Sequence, residues 1–249
     1  MILDQANAFS DAVTLKAGDG TAAFGHITFK DSAAIKIENT AGNADTNGDL
    51  FLNAGTDNAV GGNLSLTAAT GDITQAGALT VTGTSAFNTT ANSSNIILDQ
   101  ANAFSDAVTL KAGDGTAAFG HITFKDSAAI KIENTAGNAD ANGDLFLNAG
   151  TDNAVGGNLS LTAVTGDITQ AGALTVTGTS AFNTTANSSN IILDQANAFS
   201  DAVTLKAGDG TAAFGHITFK DSAAIKIENT AGNADTNGDL FLNAGTDNA

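Results

Sequence analysis

The sequence predicts an all-β fold, specifically a β-solenoid, and three observations predict it. The chain repeats itself almost perfectly every 95 residues. Its apolar residues come in very short alternating runs. The segments between those runs are rich in Gly, Asn, Asp and Ser, and helical spacing is sustained nowhere.

The repeat comes first because a missed repeat misassigns the whole fold. Ile2-Leu3-Asp4-Gln5-Ala6-Asn7-Ala8-Phe9 returns at Ile97 to Phe104 and again at Ile192 to Phe199, so the offset is 97 − 2 = 95 and 192 − 97 = 95. The units are 2–96, 97–191 and an incomplete 192–249, read together as a single continuous solenoid over 1–249. Between the first two units only Thr46 (Ala141) and Ala69 (Val164) differ. An enzyme needs one assembled site, whereas here every polar group recurs, so any surface feature becomes a periodic array. The ends fall inside a repeat, which reads as a piece of a longer array; no basic, apolar leader precedes it.

The runs in the first unit are Val13-Thr14-Leu15, Ile27-Thr28-Phe29, Ile35-Lys36-Ile37, Leu50-Phe51-Leu52, Leu64-Ser65-Leu66 and Leu79-Thr80-Val81. Period-two alternation turns the outer residues of each triplet to one side and the middle residue to the other. Val, Ile and Thr suit a pleated surface, and Gly, Asn and Asp suit the corners between strands. A coil this thin cannot bury its own apolar face, so stability must come from stacking. For identical units to stack in phase, 95 residues should hold a whole number of coils. The steps Leu64, Phe87, Val108, Ile130, Leu159 give about four coils per unit, hence about ten in the chain and a length of roughly 50 Å.

Composition narrows the function classes. The formal net charge is −17, from 26 acidic residues against nine Lys and no Arg. This excludes phosphate-rich partners, so no nucleic acid is expected, and an anionic membrane surface is an equally poor partner. No apolar stretch approaches the ~18 residues of a membrane span, so no membrane insertion is expected. With no Cys there is neither disulfide nor thiol chemistry, and Trp, Tyr and Pro are also absent.

Gly62-Asn63-Leu64-Ser65-Leu66-Thr67-Ala68, the segment Gly71-Asp72-Ile73-Thr74-Gln75-Ala76-Gly77-Ala78-Leu79-Thr80-Val81, Phe87 and Asn95 to Ala107 together resemble the haemagglutinin-type repeats of bacterial secreted exoproteins, as found in filamentous-haemagglutinin-like adhesins. The resemblance covers nearly the whole unit. It implies a right-handed parallel β-helix, a secreted or bacterial cell-surface location, and a role in adhesion or in building a fibre. The expected partners are other copies of the chain, as homo-oligomer or filament, and a host or cell-surface receptor or glycan. The near-perfect period departs from the drift usual in such arrays.

Several residues are candidate sites. Asp45, Asn47 and Asp49, with Asp140, Asn142, Asp144 and Asp235, Asn237, Asp239, place oxygen ligands at alternate positions, as at the start of a calcium loop. Leu50 and Thr56 break the rest of that pattern, and a polar Asn-Gly-Asp turn is the plainer reading. A calcium- or glycan-binding module is thus the alternative to a structural role, with Ca2+ as its candidate cofactor. His26, His121 and His216 precede Ile-Thr-Phe in each copy; a catalytic role would need Asp31 or Asp19 nearby, and a strand-edge corner is the simpler placement. Without Trp, Tyr or Arg a polysaccharide-cleaving site is poorly equipped, so no enzyme is expected. If Leu50 and Leu52 face the core, Phe51, Phe146 and Phe241 form an exposed row suited to lateral contact; a local bulge would bury them instead.

Overall fold

A computed structural model describes residues 1–18, 25–38, 49–52, 58–114, 120–133, 144–147, 153–209, 214–228 and 239–242. All regular secondary structure among them is β-strand. The first unit contributes β1 (Ile2–Asn7), β2 (Val13–Leu15), β3 (Ile27–Asp31), β4 (Ile35–Glu38), β5 (Asp49–Leu52), β6 (Ala59–Val60), β7 (Leu64–Ala68), β8 (Ile73–Gln75), β9 (Thr80–Val81) and β10 (Ser85–Thr89). The second contributes β11 (Ile96–Phe104), β12 (Val108–Lys111), β13 (Ile122–Asp126), β14 (Ile130–Glu133), β15 (Asp144–Leu147), β16 (Ala154–Val155), β17 (Leu159–Ala163), β18 (Ile168–Gln170), β19 (Thr175–Val176) and β20 (Ser180–Thr184). The third contributes β21 (Ile191–Phe199), β22 (Val203–Ala207), β23 (Ile217–Asp221), β24 (Lys226–Glu228) and β25 (Asp239–Leu242).

Every pairing between these strands is parallel, in two sheets that enclose one core, as a β-solenoid requires. The expected alternation is literal. In Leu64–Ala68 and Ser85–Thr89 the first, third and fifth residues are buried while the second and fourth are partly exposed. Leu66 and Leu161 reach 0% exposure because apolar side chains stack rung upon rung. The rungs lie in register, Leu64 on Ser85 and Ser85 on Val108, so backbone hydrogen bonds run along the axis at ~4.8 Å per rung.

In-phase stacking of identical units, however, is not what the structure shows. In the first unit β1, β3, β7 and β10 lie in one sheet and β2, β5, β4 and β8 in the other. In the second unit the equivalents trade places: β12, β15, β14 and β18 extend the first sheet, while β11, β13, β17 and β20 extend the second. Leu159 therefore stacks on Ile122, not on Ile130. The reason is topological. Leaving aside the two-residue strands β6 and β9, which pair with each other and with the end of β11, and counting β4 and β5 as one visit, the described strands of the unit make seven passes, β1, β2, β3, β4–β5, β7, β8 and β10, alternating between the sheets. Seven is odd, so the next unit starts on the opposite sheet. β5 re-enters the sheet that already holds β4 and slots between it and β2. That extra strand equalises the growth at four rungs per sheet per unit, made from three and a half circuits.

Where the units join, Phe rings plug the interior. Phe104, at the end of β11, lies edge-on to Phe87 at 6.0 Å and stacked on Phe124 at 5.6 Å. Phe199 repeats this between Phe182 and Phe219. At a nearby corner Gly120 is obligatory, because a Cβ there would overlap the Ser94 carbonyl.

Replacing Phe124, which is 2% exposed, with Ala should cost about 3–5 kcal/mol, since the flanking strands hold the cavity open. Urea unfolding of the full chain measures this; a loss under about 1 kcal/mol would mean the ring is not part of a packed stack.

Candidate functional site

Four polar arrangements recur along the solenoid. The first grows from Ile35-Lys36-Ile37-Glu38. Ile35 and Ile37 fill the core, which turns Lys36 and Glu38 to the outer side of β4. β5 pairs with β4 so that Lys36 meets Asp49, Ile37 meets Leu50 and Glu38 meets Phe51. Lys36 Nζ stands 2.6 Å from Glu38 Oε1 and 3.9 Å from Asp49 Oδ1. Both acid side chains are fully shielded, while the lysine is 34% exposed. The set repeats as Lys131, Glu133, Asp144 and as Lys226, Glu228, Asp239.

This geometry corrects the exposed Phe row. Phe51, Phe146 and Phe241 do point away from the central core cluster, as alternation requires, yet each is only 6% exposed. No bulge buries them: Val13-Thr14-Leu15 and Leu50-Phe51-Leu52 stay in continuous register. The rings are covered on the outer side of the sheet and offer no lateral contact. Of the candidate calcium ligands, Asp45, Asn47, Asp140, Asn142, Asp235 and Asn237 lie outside the described residues. Asp49, Asp144 and Asp239 are described, and each faces a lysine ammonium. Among the described residues no group of three or more His, Asp or Glu is placed to hold a metal.

The second arrangement, not foreseen from the sequence, is a buried amide clamp. Gln75 Nε2 donates to Asn102 Oδ1 at 2.9 Å, and Asn102 Nδ2 donates back to Gln75 Oε1 at 3.0 Å. Asn102 Nδ2 also reaches the Lys125 carbonyl, and the Leu79 N–H donates to Asn102 Oδ1. Three successive coils are tied at the bulge where β11 leaves one ladder for the next. Gln170 and Asn197 repeat the clamp. The available signal was Gln75 itself, at a core-facing position of Ile73-Thr74-Gln75.

The third is a ladder at the strand entrances, where a side chain on one rung caps a backbone N–H on the next. Asp72 Oδ1 accepts from Asn95 N, Asn95 Oδ1 from His121 N, His121 Nδ1 from Asn158 N, and Asn158 Oδ1 from Thr179 N, at 2.7–3.0 Å. His26 Nδ1 accepts likewise from Asn63 N, and His216 N donates to Asn190 Oδ1. The histidines are corner residues. Asp31, the described candidate partner of His26, spends its carboxylate on Ala33 N and Ser32 Oγ.

The fourth is Asp126, only 2% exposed at the end of β13. Burial pushes its carboxyl up from the ordinary 3.8 to about 6, against the opposing pull of hydrogen bonds from Ala128 N and Ser127 Oγ.

A family model described as "Repeats of unknown function (DUF5649)" matches residues 47–111 and 136–206, which is more than half of the chain. The chain belongs to that family of repeat proteins. No curated protein and no solved structure matches it.

Asp126 makes stability pH-dependent with a defined sign. Its folded-state pKa is raised, so its favourable contribution is fully present below about 3.8 and is lost as pH rises through about 6. Asp126→Asn should flatten that part of the stability curve, by on the order of 3 kcal/mol for a two-unit shift. Denaturant melts of both proteins from pH 4 to 7 read this out, and parallel curves would contradict the assignment.

Proposed function

We propose that the chain is a shaft segment of a secreted bacterial surface protein, structural and adhesive and not enzymatic, which assembles end to end. The observation that carries this reading is the continuity of the stacking. The same two parallel sheets run through all three units over one core, and the rungs of each unit lie directly on the last rungs of the unit before it. A fold that grows this way makes length, and a further unit adds by the same rung-on-rung contact.

With a formal net charge of −17, side-by-side rods repel, so axial stacking is the favoured contact. The half-circuit offset puts each unit's surface features on the side of the rod opposite to those of its neighbour. A receptor or glycan recognised by one unit would be met again on the other face, which suits a shaft that bridges two surfaces.

Sedimentation velocity over a concentration series tests the assembly. The weight-average mass should rise with concentration, and rise further with added salt as repulsion is screened. A strictly monomeric species at high concentration would overturn the proposal.

A further inference from the structure

We infer that the Lys36, Glu38 and Asp49 cluster is a self-modification site, at which Lys36 and Asp49 condense into an isopeptide cross-link with Glu38 as the proton carrier. Lys131, Asp144 and Glu133 form the same site in the second unit, and Lys226, Asp239 and Glu228 in the third. The inference does not rest on the functional reading above.

The geometry supplies three requirements of amide formation. The first is proximity. Lys36 and Asp49 are direct register partners on adjacent rungs, with Nζ 3.9 Å from Asp49 Oδ1. A nucleophile and an electrophile held this way on rigid strands react as an intramolecular pair. The second is a proton carrier. Glu38 Oε1 touches the same Nζ at 2.6 Å, within reach of every proton that must move. The third is exclusion of water, the product of the condensation. Both acid side chains are fully shielded and Phe51, beside Glu38 in register, is itself buried. Among the described residues Glu38 and Asp49 both face the Lys36 ammonium in this shielded place, and charges are costly to hold away from water. Condensation removes one positive and one negative charge together.

The step balances without a co-reactant. Lys36 Nζ passes a proton through Glu38 to an Asp49 oxygen, which makes that carboxyl a neutral acid, and the freed lone pair attacks Asp49 Cγ to form the C–N bond. Glu38 then takes a second proton from nitrogen and delivers it to the departing Asp49 hydroxyl as the C–O bond breaks. Two nitrogen protons and one carboxylate oxygen leave as water, one proton stays on the amide nitrogen, Glu38 returns to its starting state, and nothing is oxidised or reduced. The bond ties β4 to β5, the strand that slots between β4 and β2. That insertion crosses no sheet boundary, so a covalent tie there holds the rung against axial pull.

The first two sites are the better sealed. In the third, Glu228 is 12% and Lys226 50% exposed, so that copy should react more slowly. Intact-mass spectrometry of the denatured full chain should therefore find it lighter than its sequence by two waters. After tryptic digestion, cleavage should fail after Lys36 and Lys131, and fragmentation should place the links at Asp49 and Asp144. A variant carrying Glu38→Gln, Glu133→Gln and Glu228→Gln, shown folded by circular dichroism, should regain the full mass. A wild-type mass equal to the sequence, with trypsin cutting freely after Lys36 and Lys131, overturns the inference. So does a water loss mapped to any other residues.

Discussion

Everything in this molecule depends on the parallel stacking of rungs that cannot stand alone. A strand of three to five residues buries its apolar side chains only if another rung lies above and below, and its backbone groups are satisfied along the same direction. Ile130 and Ile132 are the direct expression of this constraint: they are 1% and 0% exposed where β18 lies on β14. The amide clamp at Gln75 and Asn102 and the capping ladder from Asp72 to Thr179 follow the same axis. The side-chain hydrogen bonds that tie coils together run from rung to rung, because that is the direction in which the fold has to be held.

The second organising feature is the odd number of sheet passes per unit. A whole-number repeat would present each feature as a stripe on one face. Three and a half circuits present it alternately on both, so the rod carries a half-turn relation between successive units. β5 is what makes this possible without distortion, since its insertion beside β4 restores equal growth of the two sheets. The aromatic triads Phe87–Phe104–Phe124 and Phe182–Phe199–Phe219 sit where the roles change over, and their broad side chains fill the core at those junctions.

Much of the fold is legible in the triplets. Leu64-Ser65-Leu66 and Ile122-Thr123-Phe124 announce their inward and outward faces by period alone, but the four coils per unit expected from their spacing are three and a half circuits in the structure. The phase is not legible. Nothing local in Ile35-Lys36-Ile37-Glu38 or Asp49-Leu50-Phe51-Leu52 says that the two strands share a sheet, so the half-circuit offset cannot be read from either. The same pairing hides the contact of Lys36 with Asp49, whereas its contact with Glu38 is a same-face neighbour two residues on. Phe51 shows the limit of alternation: the period assigns its direction correctly, but direction is not exposure, and what covers the outer side of a sheet belongs to tertiary structure.

The alternation of units between sheets is the claim on which the account turns, and the chain's lack of cysteine allows a direct measurement by paired cysteine substitution. Thr123 and Ser160 are register partners on adjacent rungs, and parallel neighbours ~4.8 Å apart fall within disulfide reach. Thr123→Cys with Ser160→Cys should oxidise readily to an intramolecular disulfide, while Lys131→Cys with Ser160→Cys should stay reduced. Closure of the second pair in place of the first would show that identical units stack in phase on one face, and would contradict the account.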